Sequence, residues 1–201
     1  MTSDTGLQLG IWQPVLTLIL ASVVIMGSPG PSTMSATAVG AAYGFRRSLR
    51  YVCGLILGTT AVLLAVAVGV VTIILSIPHG APVLLAVSAI YILYLAFRIA
   101  TAPPLAGQCE VAAPAFTGGF VLAIANPKAY LAITAVFAGT GALDAAVKTV
   151  LLSVMVFIIH LCWLFAGASL CRVLRDPVRS RAINVVLAVI LVVTSAMALL
   201  G

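Results

Sequence analysis

The stretch Gly27-Ser28-Pro29-Gly30-Pro31-Ser32-Thr33 interrupts an apolar run that otherwise reads as one helix, from about Ile11 to Phe45. Proline and glycine are the residues a helix interior tolerates least, and two of each stand here among seven. A second interruption, Ala125-Asn126-Pro127-Lys128, follows about a hundred residues later, close to half the chain length. Apolar sequence surrounds both. How these two breaks are read decides the fold.

Of the 201 residues, 63% are hydrophobic and 7% charged, and mean hydropathy is +1.28. A soluble domain carries roughly 25% charged residues. A chain this small cannot hide so much apolar surface from water, so its solvent is lipid. The acids are Asp4, Glu110, Asp144 and Asp176 alone. A net charge of +6 would point a soluble protein towards nucleic acid. Here the basic residues gather in a few short loops, which reads as membrane topology, and nucleic acid is not an expected partner. Cys53, Cys109, Cys162 and Cys171 form no CxxC pair, so free thiols are expected rather than a thioredoxin-type site or a zinc ribbon. Neither a metal nor a cofactor is expected. The N-terminus MTSDTGLQLG lacks the positive n-region of a secretory signal, so the first span is read as a retained helix.

The hydropathy pattern predicts six spans: Ile11 to Phe45, Tyr51 to Ser76, Ala81 to Ile99, Ala115 to Phe137, Val147 to Leu170 and Ala182 to Leu200. The first is too long for one straight crossing, which suits a broken or partly re-entrant helix. Eight of the ten basic residues, Arg46, Arg47, Arg50, Arg98, Arg172, Arg175, Arg179 and Arg181, fall on one side if the spans alternate. The positive-inside rule places that side in the cytoplasm and both termini outside. The opposite loops hold only Lys148, and His79 there reads as a polar turn residue.

The Ala/Pro-rich segment 102–114 separates two groups of three spans. Three is odd, so the groups must point in opposite directions through the bilayer. Each begins with a broken span, continues through a short polar turn (FRRSLR, then GTGALDAAVK) and enters a long apolar helix. The expected fold is an all-α polytopic membrane protein with six transmembrane helices in two inverted three-helix repeats. Residues 1–101 form the first repeat, 102–114 a cytoplasmic linker and 115–201 the second.

A restarting helix exposes N–H groups without partners and a partial positive charge. Pro31 and Pro127 suit the first helical position, and Gly30 and Asn126 the N-cap before it. The N–H groups of Ser32, Thr33 and Met34 would then point at one spot, and those of Lys128, Ala129 and Tyr130 at its counterpart. Two such starts converging near the midplane make an anion cradle suited to a carboxylate. Lys128 adds a full charge that costs about 3 kcal/mol to insert, so it should have a partner or a task. Snorkelling competes as an explanation, but Asn126-Pro127 lies about ten residues, or about 15 Å, into the span. A packing kink competes at Pro29-Gly30-Pro31. The candidate substrate-binding residues are Pro29, Gly30, Pro31, Ser32, Thr33, Asn126, Pro127, Lys128 and Tyr130.

Gly40 to Gly44 and Gly54 to Gly58 are GxxxG patterns and read as close helix packing. Thr59 and Thr60 either line a path or bond back to their own helix. His160 and Trp163 share a face of span five, and a histidine in lipid is either a proton site or bonded to a neighbouring helix. Tyr91 and Tyr94 read as packing or interface anchors.

Pro29-Gly30-Pro31, Gly44-Phe45-Arg46-Arg47, the Gly54 and Gly58 pair, Ala89-Ile90-Tyr91-Ile92-Leu93-Tyr94-Leu95 and Asn126-Pro127-Lys128 stand together in one order. In this the chain resembles the LysE-type (lysine exporter and homoserine/threonine exporter) translocators, bacterial inner-membrane amino-acid exporters. The resemblance spans nearly the whole chain. It implies proton-driven efflux of amino acids or related small metabolites. It also implies an acid after the second glycine of span two and another near position 160, where this chain has Thr59 and His160. Three routes stay open: His160 carries the coupling proton, Lys128 carries it, or the cargo is less cationic than lysine and held by backbone carbonyls. A zwitterionic cargo is preferred over a basic one, because no acid in any span would neutralise a second positive charge.

The function expected is therefore a secondary transporter working by alternating access around the two breaks. An inorganic-ion channel or exporter is the alternative, though cation sites favour carboxylates. An enzyme is not expected, since His160 has no evident nucleophile beside it and the cysteines are unpaired. Besides the cargo, the expected partner is membrane lipid, with a second copy of the chain as an option.

Overall fold

The computed structural model describes residues 3–69, 80–101, 113–140, 143–173 and 177–200, and every regular element among them is helical. Helix α1 (Ser3–Ala21) ends in a π-helical turn (Ser22–Met26). After the first break come α2 (Pro31–Tyr43), α3 (Phe45–Ala67) and α4 (Gly80–Ala100). Then follow α5 (Phe116–Ala125), α6 (Pro127–Gly139), α7 (Ala145–Val173) and α8 (Pro177–Leu200).

Phe45–Ala67 and Ala145–Leu170 are long and apolar enough to cross a membrane as single helices. Two bent helix pairs are long and apolar enough together, and count as further crossings if each is one span: Trp12–Met26 with Pro31–Tyr43 at 67°, and Phe116–Ala125 with Pro127–Gly139 at 61°. Apolar stretches Ala89–Ala100 and Arg181–Met197 within α4 and α8 are shorter. The described residues thus hold two to four crossings by length and composition. Polarity is inverted relative to a soluble protein. Leu16, Ile90, Phe97, Leu131 and Phe165 are exposed, while Ser35, Asn126, Lys148, His160 and Asn184 are buried. That arrangement is stable only where the surroundings are hydrocarbon.

Both breaks lie where the sequence puts them, but the first of the two flanking turns does not. FRRSLR is no turn: it forms the first turns of α3, with Arg46, Arg47 and Arg50 exposed. The corner is Gly44 alone, at φ 76°, a backbone setting glycine enters without a Cβ penalty. The second expected span therefore starts earlier, at Phe45, and its expected end lies outside the described residues. Arg179 and Arg181 belong to α8 rather than to a loop. His79, Cys109 and most of the 102–114 linker lie outside the described residues.

Buried apolar residues form two clusters, and the breaks lie between them. One contains Met34, Val39, Val52, Leu55, Leu122, Ala123 and Leu164. The other contains Leu18, Val62, Leu63, Ala129, Ile133, Val136 and Leu152. The chain passes from the second cluster to the first at the first break, and back at the second. Helices α3 and α7 run through both clusters in opposite directions. Thr59 and His160 fall between the clusters on these two helices, level with the breaks.

Glycine sets the closest helix crossings. A Cβ on Gly54 or Gly119 would collide with the backbone of Phe116 or Tyr51, and one on Gly58 would lie 2.7 Å from the Ala123 Cβ. These contacts press α3 onto α5. Gly167 sits against the Thr37 carbonyl, and Gly40 against that of Leu164, pressing α2 onto α7. The second GxxxG and Gly40 thus act in packing, whereas Gly44 makes a corner.

Candidate functional site at the two helix breaks

The first break begins as a π-turn, with Gly27 N–H bonded to Ser22 O at 3.0 Å. Gly30, extended at φ −173°, is the N-cap of α2, and Pro31 takes the first helical position, where a missing N–H costs nothing. Thr33 Oγ1 accepts the Gly30 N–H at 2.9 Å. The first helical bond is Met34 N–H to Gly30 O at 2.8 Å. Helix geometry then leaves two orphan donors, the N–H groups of Ser32 and Thr33. Met34, expected to be a third, is already paired.

The second break differs. Asn126 Oδ1 accepts the Lys128 N–H at 3.1 Å, and Asn126 O accepts that of Ala129 at 3.1 Å. This start is self-capped and offers its first N–H groups to nothing else. The expected symmetrical cradle is replaced by an asymmetric one: bare N–H groups from α2, side chains from α6.

The side chains of the second break reach into the first. Asn126 Nδ2 donates to Ser32 Oγ at 2.9 Å. Lys128 Nζ donates to Ser28 O, Ser28 Oγ and Pro29 O, each at 2.7 Å. An ammonium has three N–H donors, and all three are used. The carbonyls at Ser28 and Pro29 follow the end of the α1 segment, where a helix carries partial negative charge, so a cation is favoured there. The stem of Lys128 lies over Gly30, where a Cβ would come within 2.6 Å of Lys128 Cδ. A Cβ on Gly30 would therefore shift the Lys128 side chain, while the backbone angles of Gly30 are open to any residue. From α7, Trp163 Nε1 donates to Gly27 O at 3.1 Å.

A cavity of about 40 Å³ opens between the breaks, lined by Ser32, Thr33, Thr59, Asn126, Lys128 and His160 among its polar residues. Met26, Ala129, Ala132, Ile133, Val156 and Ile159 complete its wall. It has room for about one water, so a larger cargo requires the walls to part. His160 is 4% exposed and Thr59 5%. The His160 Nδ1 lies 2.8 Å from Val156 O, which can only accept, so Nδ1 carries the proton. Nε2 is then an acceptor, and neither it nor Thr59 Oγ1 has a partner among the described residues. Unpaired buried polar atoms beside orphan N–H groups are what a ligand-free polar site leaves behind.

The predicted residues are therefore gathered only in part. Gly30, Ser32, Thr33, Asn126, Lys128, Thr59 and His160 line one cavity. Pro29 contributes its carbonyl to Lys128, while Pro31 and Pro127 start their helices. Tyr130 packs instead against the apolar cluster around Ile133. Sequence reasoning missed three residues. Ser28 supplies two of the Lys128 acceptors, Trp163 caps Gly27, and Lys148 is buried. Lys148 Nζ donates to Phe137 O at 3.0 Å near the end of α6 and lies 5.0 Å from the Phe137 ring centroid. The rule that a helix end leaves carbonyls unpaired was the available signal for Ser28 and Phe137. Cys53 and Cys162 are free and exposed, and Tyr94 stands exposed beneath Arg98, whose Nη1 it accepts at 2.9 Å.

Comparison with known proteins agrees in extent with this architecture. A family profile described as "LysE type translocator" matches residues 23–200. The cysteine/O-acetylserine efflux protein of Salmonella typhimurium is 33% identical over 171 residues, covering 82% of this chain and 87% of that protein. Its counterpart in Escherichia coli K12 is 32% identical over the same extent. No solved structure matches the chain.

Proposed function

We propose, from the premise that this chain belongs to the LysE type translocator family, that it is a bacterial inner-membrane exporter of small zwitterionic amino acids. The relatives named for efflux of cysteine and O-acetylserine carry short uncharged side chains as cargo. The cavity here suits that class, because its non-polar wall is built of small and medium residues and no acid among the described residues lines it. The observation that carries the reading is the meeting of two broken helices at one polar cavity where Thr59 Oγ1 and His160 Nε2 have no partner among the described residues.

In this reading the cargo carboxylate takes the N–H groups of Ser32 and Thr33 at the start of α2. Thr59 and His160 complete the polar wall, and His160 Nε2 is the proton acceptor for coupling. The six-span inverted repeat, with residues 1–101 and 115–201 as its halves, is supported by the opposite passage of the chain between the two apolar clusters at the two breaks. Alternating access then rocks one half against the other. The tight glycine crossings of α2 on α7 and α3 on α5 close one end. With both termini outside, that end is the cytoplasmic one.

Counterflow in proteoliposomes tests the proposal. Vesicles loaded with unlabelled cysteine, O-acetylserine or another neutral amino acid are expected to accumulate the labelled form from outside. Absence of counterflow with every amino acid, from protein shown to be folded, would overturn it and turn attention to inorganic ions.

A further inference from the structure

Lys128 presents an imbalance. A buried or half-buried cation in a membrane protein ordinarily faces an acid, yet its three partners are all neutral oxygens at one helix end. Three acceptors converging at 2.7 Å on one nitrogen are also the arrangement that any primary ammonium requires. The cargo class proposed above carries such a group. Within the same break, Ser32 and Thr33 offer two N–H groups that helix geometry leaves without a backbone acceptor among the described residues. Acceptors at 28–29 and donors at 32–33 therefore flank Gly30, and together they complement a zwitterion: oxygens for its ammonium, N–H groups for its carboxylate.

We propose that the Ser28 and Pro29 oxygens form the subsite for the α-ammonium of the cargo, and that Lys128 is a tethered cation that fills this subsite while the carrier is empty. The inference rests on the exporter reading and deepens it. Its physical basis is the cost of the vacant subsite, which falls chiefly on Pro29 O, since Ser28 O also accepts from Thr33 Oγ1 at 3.3 Å and Ser28 Oγ keeps its own bond to Ile25 O at 2.8 Å. Polar groups facing a low-dielectric space without partners cost several kcal/mol each. A net exporter must pass its empty form back across the barrier, and an empty tripod of oxygens would oppose that step. Lys128 removes the penalty. When cargo enters, its ammonium takes the oxygens and its carboxylate offers the displaced Lys128 a new partner beside Ser32 and Thr33. The net charge of the site is the same in both states, because the zwitterion adds none. A cargo lacking the carboxylate would displace Lys128 without repaying it, and one lacking the ammonium would leave it in place. Only molecules with both groups are carried.

The test compares two rates in proteoliposomes. Exchange needs only the loaded carrier to cross, whereas net efflux into cargo-free buffer also needs the empty carrier to return. In Lys128→Ala the ratio of net efflux to exchange is expected to fall about tenfold or more, as the empty form loses its cation. Propylammonium on both faces, a free cation of the same chemistry, is expected to restore the ratio. A folded Lys128→Ala with the wild-type ratio, or one that propylammonium does not rescue, overturns the proposal. Lys128→Arg keeps charge and stem but replaces a compact three-donor head with a planar fork. Its ratio is expected to fall in the same direction. A wild-type ratio there overturns the proposal even if Lys128→Ala cannot be recovered from the membrane. Wild-type counterflow separates the two levels of the argument: with none, the exporter reading fails; with counterflow and an unmoved ratio, only the tethered cation fails.

Discussion

Asn126 Nδ2 donates to Ser32 Oγ at 2.9 Å, so the N-cap of one half-helix is bonded to the first turn of the other, 94 residues away. The same Asn126 side chain caps its own helix through Oδ1. One amide thereby serves two helix starts, and both residues are almost fully buried.

Asn126→Ala is expected to lower stability by about 2–3 kcal/mol, from the lost cap and the lost buried bond together. Ser32→Ala should cost about 1–3 kcal/mol, because it strands the Asn126 amide. The double variant should fall short of the sum by about 0.5–3 kcal/mol, the coupling expected of residues in contact. Thermal unfolding in detergent measures all three. Strict additivity would mean that the bond does not form.

Gly167→Ala places a methyl group against the Thr37 carbonyl, which is backbone and cannot swing aside. Overpacking of this kind costs about 1–3 kcal/mol. Gly139→Ala is the matched control, because a Cβ there meets nothing within 4 Å. Its effect should stay within about 1 kcal/mol and favour the helix. Equal melting temperatures for the two variants would mean that the α2–α7 crossing is looser than described.

His160→Leu and Thr59→Val each remove one buried polar atom that has no partner among the described residues. Thr59→Val should hold or slightly raise stability, and His160→Leu, which also loses the Nδ1 bond to Val156 O, should change it by no more than about 1 kcal/mol. Export should fall about tenfold or more if each bonds the cargo or its proton. Protein yield and melting temperature are read beside transport rate. Lower stability with unchanged transport would place both residues in the scaffold instead.

Trp163→Phe keeps an aromatic ring beside the first break but removes the donor to Gly27 O. The expected cost is about 1 kcal/mol, the net worth of one hydrogen bond. The carbonyl of Gly27 is then uncapped at the end of the π-turn, so hydrogen exchange at Gly30 and Met34, whose N–H groups are bonded in the break, should quicken. Unchanged exchange at those amides would show that the break is held by Lys128 and Asn126 alone.

What could be read without coordinates was whatever depends on near neighbours along the chain. An apolar run of bilayer length forms a helix in lipid because no other local arrangement satisfies its backbone. Proline lacks an N–H wherever it stands, so Pro31 and Pro127 mark helix starts by themselves. The break at Asn126 was legible for that reason, and so were the approximate bounds of α4, α5, α6 and α7. FRRSLR is the exception, because its charge suggests a turn while its residues favour a helix. Arginine is a good helix former, and the corner needed only the single left-handed residue Gly44.

Tertiary structure alone decided how the breaks are used. Gly30 and Asn126 both read as N-caps, yet only the Asn126 side chain pairs its own first-turn amide, which leaves the N–H groups of Ser32 and Thr33 open. Lys128 read as a charge waiting for an anion, but three oxygens a hundred residues away already hold it. Tyr130, adjacent in sequence to the site, turns into an apolar cluster, while Thr59 and His160 arrive from two other helices. Helix periodicity fixes which residues share a face. It does not fix which faces meet, because that depends on packing between helices far apart in the chain, and here glycine crossings set that packing.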